Sequence, residues 1–262
     1  MKITLLTSNK NRHNYLINLL SNISDELFVI QECGTIFPGI IPGHYPASEV
    51  MKKYFEQVND AQSKLFGNSY VDSSSKNIKV LQILPDDLNK CSLSFLSDFL
   101  TSDIYVVFGS SYIKGKLVDY LVKQKAINIH MGVSPYYRGT DCNFWALYDN
   151  NPHLVGATIH ILSKGLDSGS ILYHTMSNLK SNPFEYTMST VKSAFHSIAE
   201  RIKDKSIFEI KPLIQDKTKE IRYSKKIEFN DEVVKDYFNK DINLNIKEFD
   251  NSLLKDPYFL KN

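Results

Sequence analysis

The sequence lacks the features that would assign the chain to several large classes of protein. Its three cysteines, Cys33, Cys91 and Cys142, are an odd number without paired spacing, which indicates reduced thiols rather than a disulfide framework. No apolar run approaches the roughly 18 to 20 residues that span a bilayer. The apolar stretch at the N-terminus is too short for a signal peptide. We therefore predict a cytoplasmic protein that does not enter a membrane, and no metal site.

Neither basic nor acidic residues are in large excess. The 262 residues include 31 basic and 29 acidic side chains, which leave a formal net charge of +2. A dedicated nucleic-acid-binding protein usually has a basic surface, so this near balance argues against a nucleic-acid partner. With 42% apolar residues, the chain is able to bury one sizeable core.

The first half of the chain alternates short β-rich runs with longer helical patterns. This alternation predicts a parallel sheet with helices on both of its faces. The run IYVVFG is apolar on both sides, as is typical of a central parallel strand. The predicted strands are residues 2–7, 26–32, 79–84, 104–109 and 126–130, and the predicted helices are residues 11–21, 47–66, 92–100 and 113–123.

After Trp145 the pattern changes. Strands at residues 155–162 and 170–176 are joined by the short loop SKGLDSG, which predicts an antiparallel extension of the sheet. A helix follows at residues 184–203, with Pro183 in its first turn. The remaining residues are more charged and irregular, with a small helix at DEVVKDYF.

These patterns together predict an α/β fold, with a Rossmann-like, doubly wound and mostly parallel sheet that carries an antiparallel extension. Residues 1–205 are expected to form the main domain. Residues 206–262 are expected to form a small C-terminal extension packed on the same domain. This extension could also pair with that of a second copy in a homodimer.

Asn128 and His130 are the first residues that suggest chemistry. They lie two apart on the strand AINIH, so they share one face and approach its carboxyl end, where open α/β sheets bind ligands. An amide that donates to an oxyanion and an imidazole that moves a proton suit acyl transfer. Taken alone, Asn-x-His is equally typical of a buried histidine that ends a strand.

Two further segments point to the same region. Asp167 lies between glycines in GLDSG, where its carboxylate is placed to orient His130 and raise the pKa of that imidazole, although an ordinary turn has the same pattern. The loop SPYYRG, which contains Tyr137 and Arg138, follows His130 directly. A polar, aromatic loop at a strand's carboxyl end is a typical binding element.

The order INIH, SPYYRG, WAL, GATIHIL and GLDSGSIL resembles the 10-formyltetrahydrofolate-dependent formyltransferases. The resemblance covers about residues 108–172 and implies that residues 1–205 form a catalytic domain. It also implies that the family's catalytic Asn, His and Asp fall on Asn128, His130 and Asp167. Asn128 and a protonated His130 would stabilise an oxyanion, while Asp167 would take part in moving a proton. His160 matches a histidine often found upstream of that Asp.

The resemblance also implies where the formyl donor, 10-formyltetrahydrofolate, lies. It places the pterin near the loop that follows the fourth strand, with Gly109 and Ser110 at the start of the loop and with Tyr112 and Ile113 walling the pocket. A phosphate-binding P-loop at the same stretch is excluded, because the spacing to Lys116 is one residue too long and Leu117 replaces the required hydroxyl.

The acceptor is suggested by departures from the commonest family pattern. Where many relatives have Pro-Ser after the catalytic His, this chain has Met131-Gly132. The run HMGVSPYYRG and the segment NRHNYL resemble enzymes that formylate nucleotide-linked aminosugars for bacterial surface polysaccharides such as lipopolysaccharide O-antigen. The acceptor-binding residues would then be Asn9, Arg12, His13, Tyr137 and Arg138. A solvated helix start is an equally good explanation of Arg12 and His13.

Three alternatives remain. Formyltetrahydrofolate hydrolysis uses the same residue types, although its enzymes usually carry an additional N-terminal domain. Methionyl-tRNA formylation is accompanied in the family by a basic C-terminal domain of about 100 residues. A folate- or nucleotide-binding module without catalysis is the non-enzymatic alternative.

Overall fold

The computed structural model describes residues 1–34, 48–244 and 251–260. The strands are β1 (Lys2–Ser8), β2 (Glu26–Glu32), β3 (Ile78–Ile83), β4 (Ile104–Phe108), β5 (Ile127–His130), β6 (Tyr137–Gly139), β7 (Ala157–Ile161), β8 (Ile171–Met176), β9 (Arg222–Ser224) and β10 (Tyr258–Phe259). The helices are α1 (Asn11–Ser21), α2 (Glu49–Phe66), α3 (Gly115–Lys123), α4 (Cys142–Tyr148), α5 (Pro183–Lys203) and α6 (Asp231–Asn239).

Eight of these strands form one sheet in the order β10-β8-β7-β5-β4-β1-β2-β3. Strands β3, β2, β1, β4 and β5 are parallel neighbours. Strands β7 and β8 then continue the sheet in antiparallel pairing, and β10 adds a parallel edge. The predicted α/β fold with an antiparallel extension is therefore confirmed.

Helices cover both faces of the sheet because neighbouring side chains of each strand point to opposite sides. Leu5 belongs to a buried cluster that includes residues of α1, α2 and α5, whereas Leu6 belongs to a second cluster with α3. Strand β4 is buried along its whole length, as the apolar run IYVVFG predicted. The carboxyl ends of β1, β4 and β5 therefore lie side by side at one edge.

One predicted helix, residues 92–100, is wrong. The structure has only a single 3-10 turn there, at Ser97–Phe99, although Leu96 and Leu100 are buried as a helical pattern requires. The Ser92 hydroxyl accepts a hydrogen bond from the Phe95 N–H and lies 2.9 Å from the Ser94 hydroxyl. The bond to Ser92 is one that a helix cap also makes, but here the chain continues only into the 3-10 turn.

The other elements agree with their predictions to within a few residues. Ser48 accepts a hydrogen bond from the Met51 N–H and so begins α2 at Glu49; the predicted start at residue 47 lies outside the described residues. Helix α5 begins at Pro183, with Asn182 as its cap. Helix α3 begins at Gly115 rather than residue 113.

Residues 206–244 and 251–260 pack against the preceding part of the chain at several places. Strand β9 pairs with β6, β10 lies on the edge of the sheet, and Tyr237 of α6 contacts the ring of Phe144. Within the described ranges, no helix combines the length and the apolar character that crossing a membrane requires.

Candidate active site

Strand β5 places Asn128 and His130 next to Asp167, which lies in the loop between β7 and β8. The Asn128 amide nitrogen is 3.5 Å from Asp167 Oδ1, and His130 Nδ1 is 3.3 Å from the same oxygen. The carboxylate and the imidazole are both more than nine-tenths buried. Three side chains that are distant in sequence therefore converge, as the sequence predicted, at the carboxyl end of β5.

His160 on β7 fixes the orientation of the Asn128 amide. His160 Nδ1 is 2.9 Å from the Ile161 carbonyl oxygen, which only accepts, so Nδ1 carries the proton and Nε2 of the neutral ring is an acceptor. The Asn128 NH₂ group lies 3.0 Å from this Nε2 and donates to it. The amide hydrogens therefore face His160 and Asp167, and the amide oxygen faces away from them.

Burial and charge act on His130 in opposite directions. Burial lowers the pKa of His130, Asp167 raises it, and the net pKa is below the ordinary value for histidine. The sequence predicted that Asp167 would raise this pKa; that contribution is present, but burial outweighs it. His130 Nε2 lies 3.2 Å from the Tyr137 carbonyl oxygen, so only a protonated ring donates on both sides.

Asp167 stays ionised although it is buried. Burial raises the pKa of Asp167, but the neighbouring His130 and His160 rings lower it and outweigh burial, so the net pKa is below the ordinary value. The residue has a φ of 45°, a left-handed backbone conformation that non-glycine residues rarely adopt. A buried anion beside two imidazoles is typical of a site that moves protons.

Gly132 lies in close contact with both His130 and Cys142. A Cβ atom at this position would lie 2.7 Å from His130 Nε2 and 2.5 Å from Cys142 Cβ. Glycine therefore allows the imidazole and α4 to approach the turn that follows β5. A larger residue at position 132 requires the His130 ring to move.

Residues 96–204 match the formyl transferase family. This range contains the four polar side chains of the candidate site, Asn128, His130, His160 and Asp167. This match covers less than half of the chain and agrees with the resemblance that the sequence motifs suggested. A methionyl-tRNA formyltransferase from Finegoldia magna is 25% identical over 128 residues, which are 48% of this chain and 41% of that protein. The chain thus matches less than half the length of this relative.

Solved structures show the same fold at low identity. An N-formyltransferase from Helicobacter canadensis, in complex with folinic acid and dTDP-3-aminofucose, has a TM-score of 0.54 and 15% identity; the likeness covers 95% of this chain and 77% of that one. Phosphoribosylglycinamide formyltransferase from Anaplasma phagocytophilum has a TM-score of 0.53 and 18% identity, covering 80% and 89%.

The predicted donor loop of the formyl transferase domain follows β4. Gly109 has a φ of 66° and abuts the ring of His13. Ile113 is buried, whereas Tyr112 is 48% exposed and its hydroxyl donates to the Lys164 carbonyl oxygen. The Ser110 hydroxyl donates to the Ser111 carbonyl oxygen within the loop. An apolar wall beside an exposed aromatic ring fits a flat heterocycle such as a pterin.

Glu32, which the sequence did not single out, shapes this loop. Its buried carboxylate accepts from the Ser111 N–H at 2.5 Å and from the Asp86 N–H at 2.9 Å. It therefore joins the loops that follow β3 and β4. The Ser111 N–H is thus already used within the protein, which leaves other backbone groups of the loop for a ligand.

The predicted acceptor residues fall into two groups. Asn9, Arg12 and His13 lie where β1 ends and α1 begins. Tyr137 and Arg138 lie on β6, where the Tyr137 hydroxyl donates to Asp149 and Arg138 forms an ion pair with Glu220. Contact of any of these residues with an acceptor remains a prediction.

The start of α1 is basic. The pKa of Lys10 is lowered to about 8 by partial burial of the ammonium group and by the charge of Arg12. Burial lowers the pKa of Arg12 to about 10. Arg12 donates to the neutral side chain of Gln62. Burial and both cations lower the pKa of His13. No acidic side chain among the described residues forms an ion pair with Lys10 or Arg12.

Sequence reasoning missed Gln215, which contacts the Asp167 loop directly, and Glu220, which supports it through Arg138. Gln215 donates to the Asp167 and Gly169 carbonyl oxygens, and Glu220 holds Arg138, which donates to the Leu166 carbonyl oxygen. Their segment shows neither a clear periodicity nor a motif. In the described part of the chain, no group of three or more His, Cys, Asp or Glu side chains is arranged to hold a metal ion.

Proposed function

We propose that the chain is an N-formyltransferase that moves a formyl group from 10-formyltetrahydrofolate to the amino group of a nucleotide-linked aminosugar. The convergence of Asn128, His130 and Asp167 around one point carries the proposal. The family of residues 96–204 supports the formyl donor, as does the folinic acid bound to the Helicobacter canadensis enzyme of the same fold.

The reaction forms one carbon–nitrogen bond and breaks another. The neutral acceptor amine attacks the formyl carbon, negative charge develops on the formyl oxygen, the bond to the folate nitrogen breaks, and one proton passes from the amine to that nitrogen. The Asn128 N–H that faces Asp167, at a long 3.5 Å from Oδ1, would turn to the formyl oxygen and stabilise it together with protonated His130. Asp167 accepts the amine proton or holds His130 in its charged form.

The lowered pKa of His130 fits this sequence of events. Before reaction the buried ring favours its neutral form. Negative charge that develops beside the ring then raises its proton affinity. The neutral ring is then able to take the proton that the attacking amine releases, hold it while the oxyanion is present and pass it to the folate nitrogen, so a permanent buried cation is not required.

The basic start of α1 favours a nucleotide-linked acceptor. Free N–H groups at a helix start bind phosphate, and Lys10 and Arg12 add charge there. Because neither side chain forms an ion pair with an acid in the described ranges, a diphosphate would supply the missing anion. The dTDP-3-aminofucose bound to the Helicobacter canadensis enzyme is such a molecule.

A direct assay tests the proposal. The protein is incubated with 10-formyltetrahydrofolate and a panel of dTDP-, UDP- and GDP-linked aminosugars, and mass spectrometry follows the gain of one formyl group. Methionyl-tRNA is a second acceptor arm, because the Finegoldia magna relative is a methionyl-tRNA formyltransferase. Donor turnover without any acceptor would instead indicate hydrolysis.

Variants connect the turnover to the site. Because removal of one oxyanion donor commonly lowers kcat about 100- to 1000-fold, we expect such a loss in Asn128→Ala and in His130→Ala, with little change in acceptor KM. His153→Ala, which replaces a histidine outside the site, is the control. Near wild-type turnover in either site variant would refute the assignment.

A further inference from the structure

We propose that Gln215, which lies beyond the part of the chain that matches the family, is a positioning residue that holds Asp167 toward His130. The inference rests on the proposed function, because it concerns the same carboxylate. It goes further by assigning part of the catalytic geometry to the segment at residues 206–224.

The burial of Gln215 is the first observation. Between residues 211 and 219 it is the one buried residue, whereas its neighbours Leu213 and Ile214 are 51% and 82% exposed. Folding ordinarily buries leucine and isoleucine in preference to glutamine. Here the glutamine is buried and the two apolar residues are exposed. This arrangement places a buried amide against the Asp167 loop.

The contacts of this amide are the second observation. Gln215 Nε2 donates to the Asp167 carbonyl oxygen at 2.8 Å and to the Gly169 carbonyl oxygen at 2.7 Å. Both hydrogens of the NH₂ group are thereby used on either side of Ser168. Because Asp167 has a φ of 45°, its unfavourable conformation needs such external support. The two bonds fix the direction in which its side chain leaves the backbone.

The other end of the amide is the third observation. Among the described residues no donor meets Gln215 Oε1, although the atom is buried. A buried polar atom without a partner costs free energy. An apolar side chain of similar volume would avoid this cost, so packing alone does not account for glutamine. The NH₂ group accounts for it.

A second residue of the same segment supports the loop from its other side. Glu220 Oε2 accepts from Arg138 Nη1 at 2.9 Å, and Arg138 Nη2 donates to the Leu166 carbonyl oxygen at 3.0 Å. The carbonyl groups of Leu166, Asp167 and Gly169 therefore all depend on residues 215 and 220. Two separate contacts from one segment converge on the catalytic loop.

The test compares Gln215→Met with Lys217→Met in the full chain. Methionine keeps the volume of glutamine and removes the donor, and Lys217 is an exposed neighbour. We expect kcat of Gln215→Met to fall about 100-fold, as a displacement of roughly 1 Å at a reacting group produces. Acceptor KM and the unfolding midpoint should change little, and Lys217→Met should resemble the wild type.

A second measurement does not depend on turnover. Nuclear magnetic resonance titration of labelled histidines reports the pKa of His130, which faces Asp167, His160, Arg138 and the Tyr137 carbonyl oxygen. Asp167 is the charged side chain that raises this pKa, so Gln215→Met should shift the His130 titration to lower pH. Glu220→Ala should shift kcat and the titration in the same direction by a smaller amount.

The outcomes separate the two proposals. If the wild type transfers no formyl group but the His130 titration moves in Gln215→Met, the proposed function fails and the positioning role stands. If Gln215→Met and Glu220→Ala both keep wild-type kcat and the wild-type titration, the positioning role is overturned. Should Gln215→Met not fold, Glu220→Ala decides between these results.

Discussion

At the scale of single residues, burial sets the charge of the basic groups around the candidate site. His130 has a lowered pKa even though it lies beside a carboxylate, and His13 has a lowered pKa beside two cations. Under the proposed function, negative charge that arrives beside either ring, on the formyl oxygen or on the predicted diphosphate, would raise the pKa of that ring. The pH dependence of binding or turnover should therefore report the pKa of each basic group.

Lys10 gives the clearest prediction at this scale. Its pKa is about 8, so the ammonium group is charged below pH 8 and neutral above it. If it holds the acceptor's phosphate, acceptor KM should rise by about tenfold between pH 7 and pH 9, since hydrogen bonds to charged groups contribute roughly 1.5–3 kcal/mol. Steady-state kinetics across this range measures the change.

The control for this prediction is Lys10→Arg. Arginine keeps its charge throughout the range, so the variant should show a flat KM between pH 7 and pH 9. A rise in KM of equal size in the variant would assign the pH dependence to another group.

At the scale of elements, the hairpin of β7 and β8 determines where Asp167 lies. Gly169 allows this, because a Cβ atom there would overlap the Ile161 carbonyl oxygen and lie 3.0 Å from His160 Nδ1. The same carbonyl accepts from His160 and so orients Asn128. Position 169, the second glycine of GLDSG, therefore requires glycine because two strands approach each other closely there. A left-handed backbone conformation is not the reason, since the φ of Gly169 lies outside that region.

We expect Gly169→Ala to lower the free energy of unfolding by about 3 kcal/mol, the upper part of the usual range for overpacking. Gly165→Ala in the same loop is the matched control. Its Cβ atom would meet chiefly the Ser168 hydroxyl, which is able to rotate, so its cost should be below about 1 kcal/mol. Denaturant unfolding measures both, and equal costs would contradict the explanation.

Local patterns explain which elements the sequence could predict. The parallel core followed from strand and helix alternation, and Asn128, His130 and Asp167 followed from two short motifs. The helix predicted at residues 92–100 was wrong, because turns and one 3-10 turn bury Leu96 and Leu100 without a full helix. Gln215 and Glu220 were missed because they reach the site from 48 and 53 residues beyond Asp167, on a segment whose sequence gives no sign of what it contacts.

At the scale of the whole molecule, buried histidines link stability to pH. His174 donates from Nε2 to the Ser134 carbonyl oxygen and accepts at Nδ1 from the Lys255 N–H. It therefore joins β8, the loop after β5 and the segment before β10 as a neutral ring. Burial and the charge of Lys255 lower the pKa of His174 to about 4. Protonation of Nδ1 would also break the bond from the Lys255 N–H.

This pKa predicts loss of stability in acid. Between pH 6.5 and 4 the unfolded chain binds a proton at His174 that the folded protein does not, so stability falls as pH falls. At 1.36 kcal/mol per pKa unit, His174 alone should remove about 3 kcal/mol across this range, and His13 and His130 act in the same direction. Denaturant unfolding at pH 7, 6, 5 and 4 measures how steeply the free energy of unfolding falls with pH.

The control is His174→Gln, because glutamine keeps a donor and an acceptor but does not titrate. The free energy of unfolding of this variant should fall less steeply with pH than that of the wild type. An equally steep fall would show that His174 does not link stability to pH.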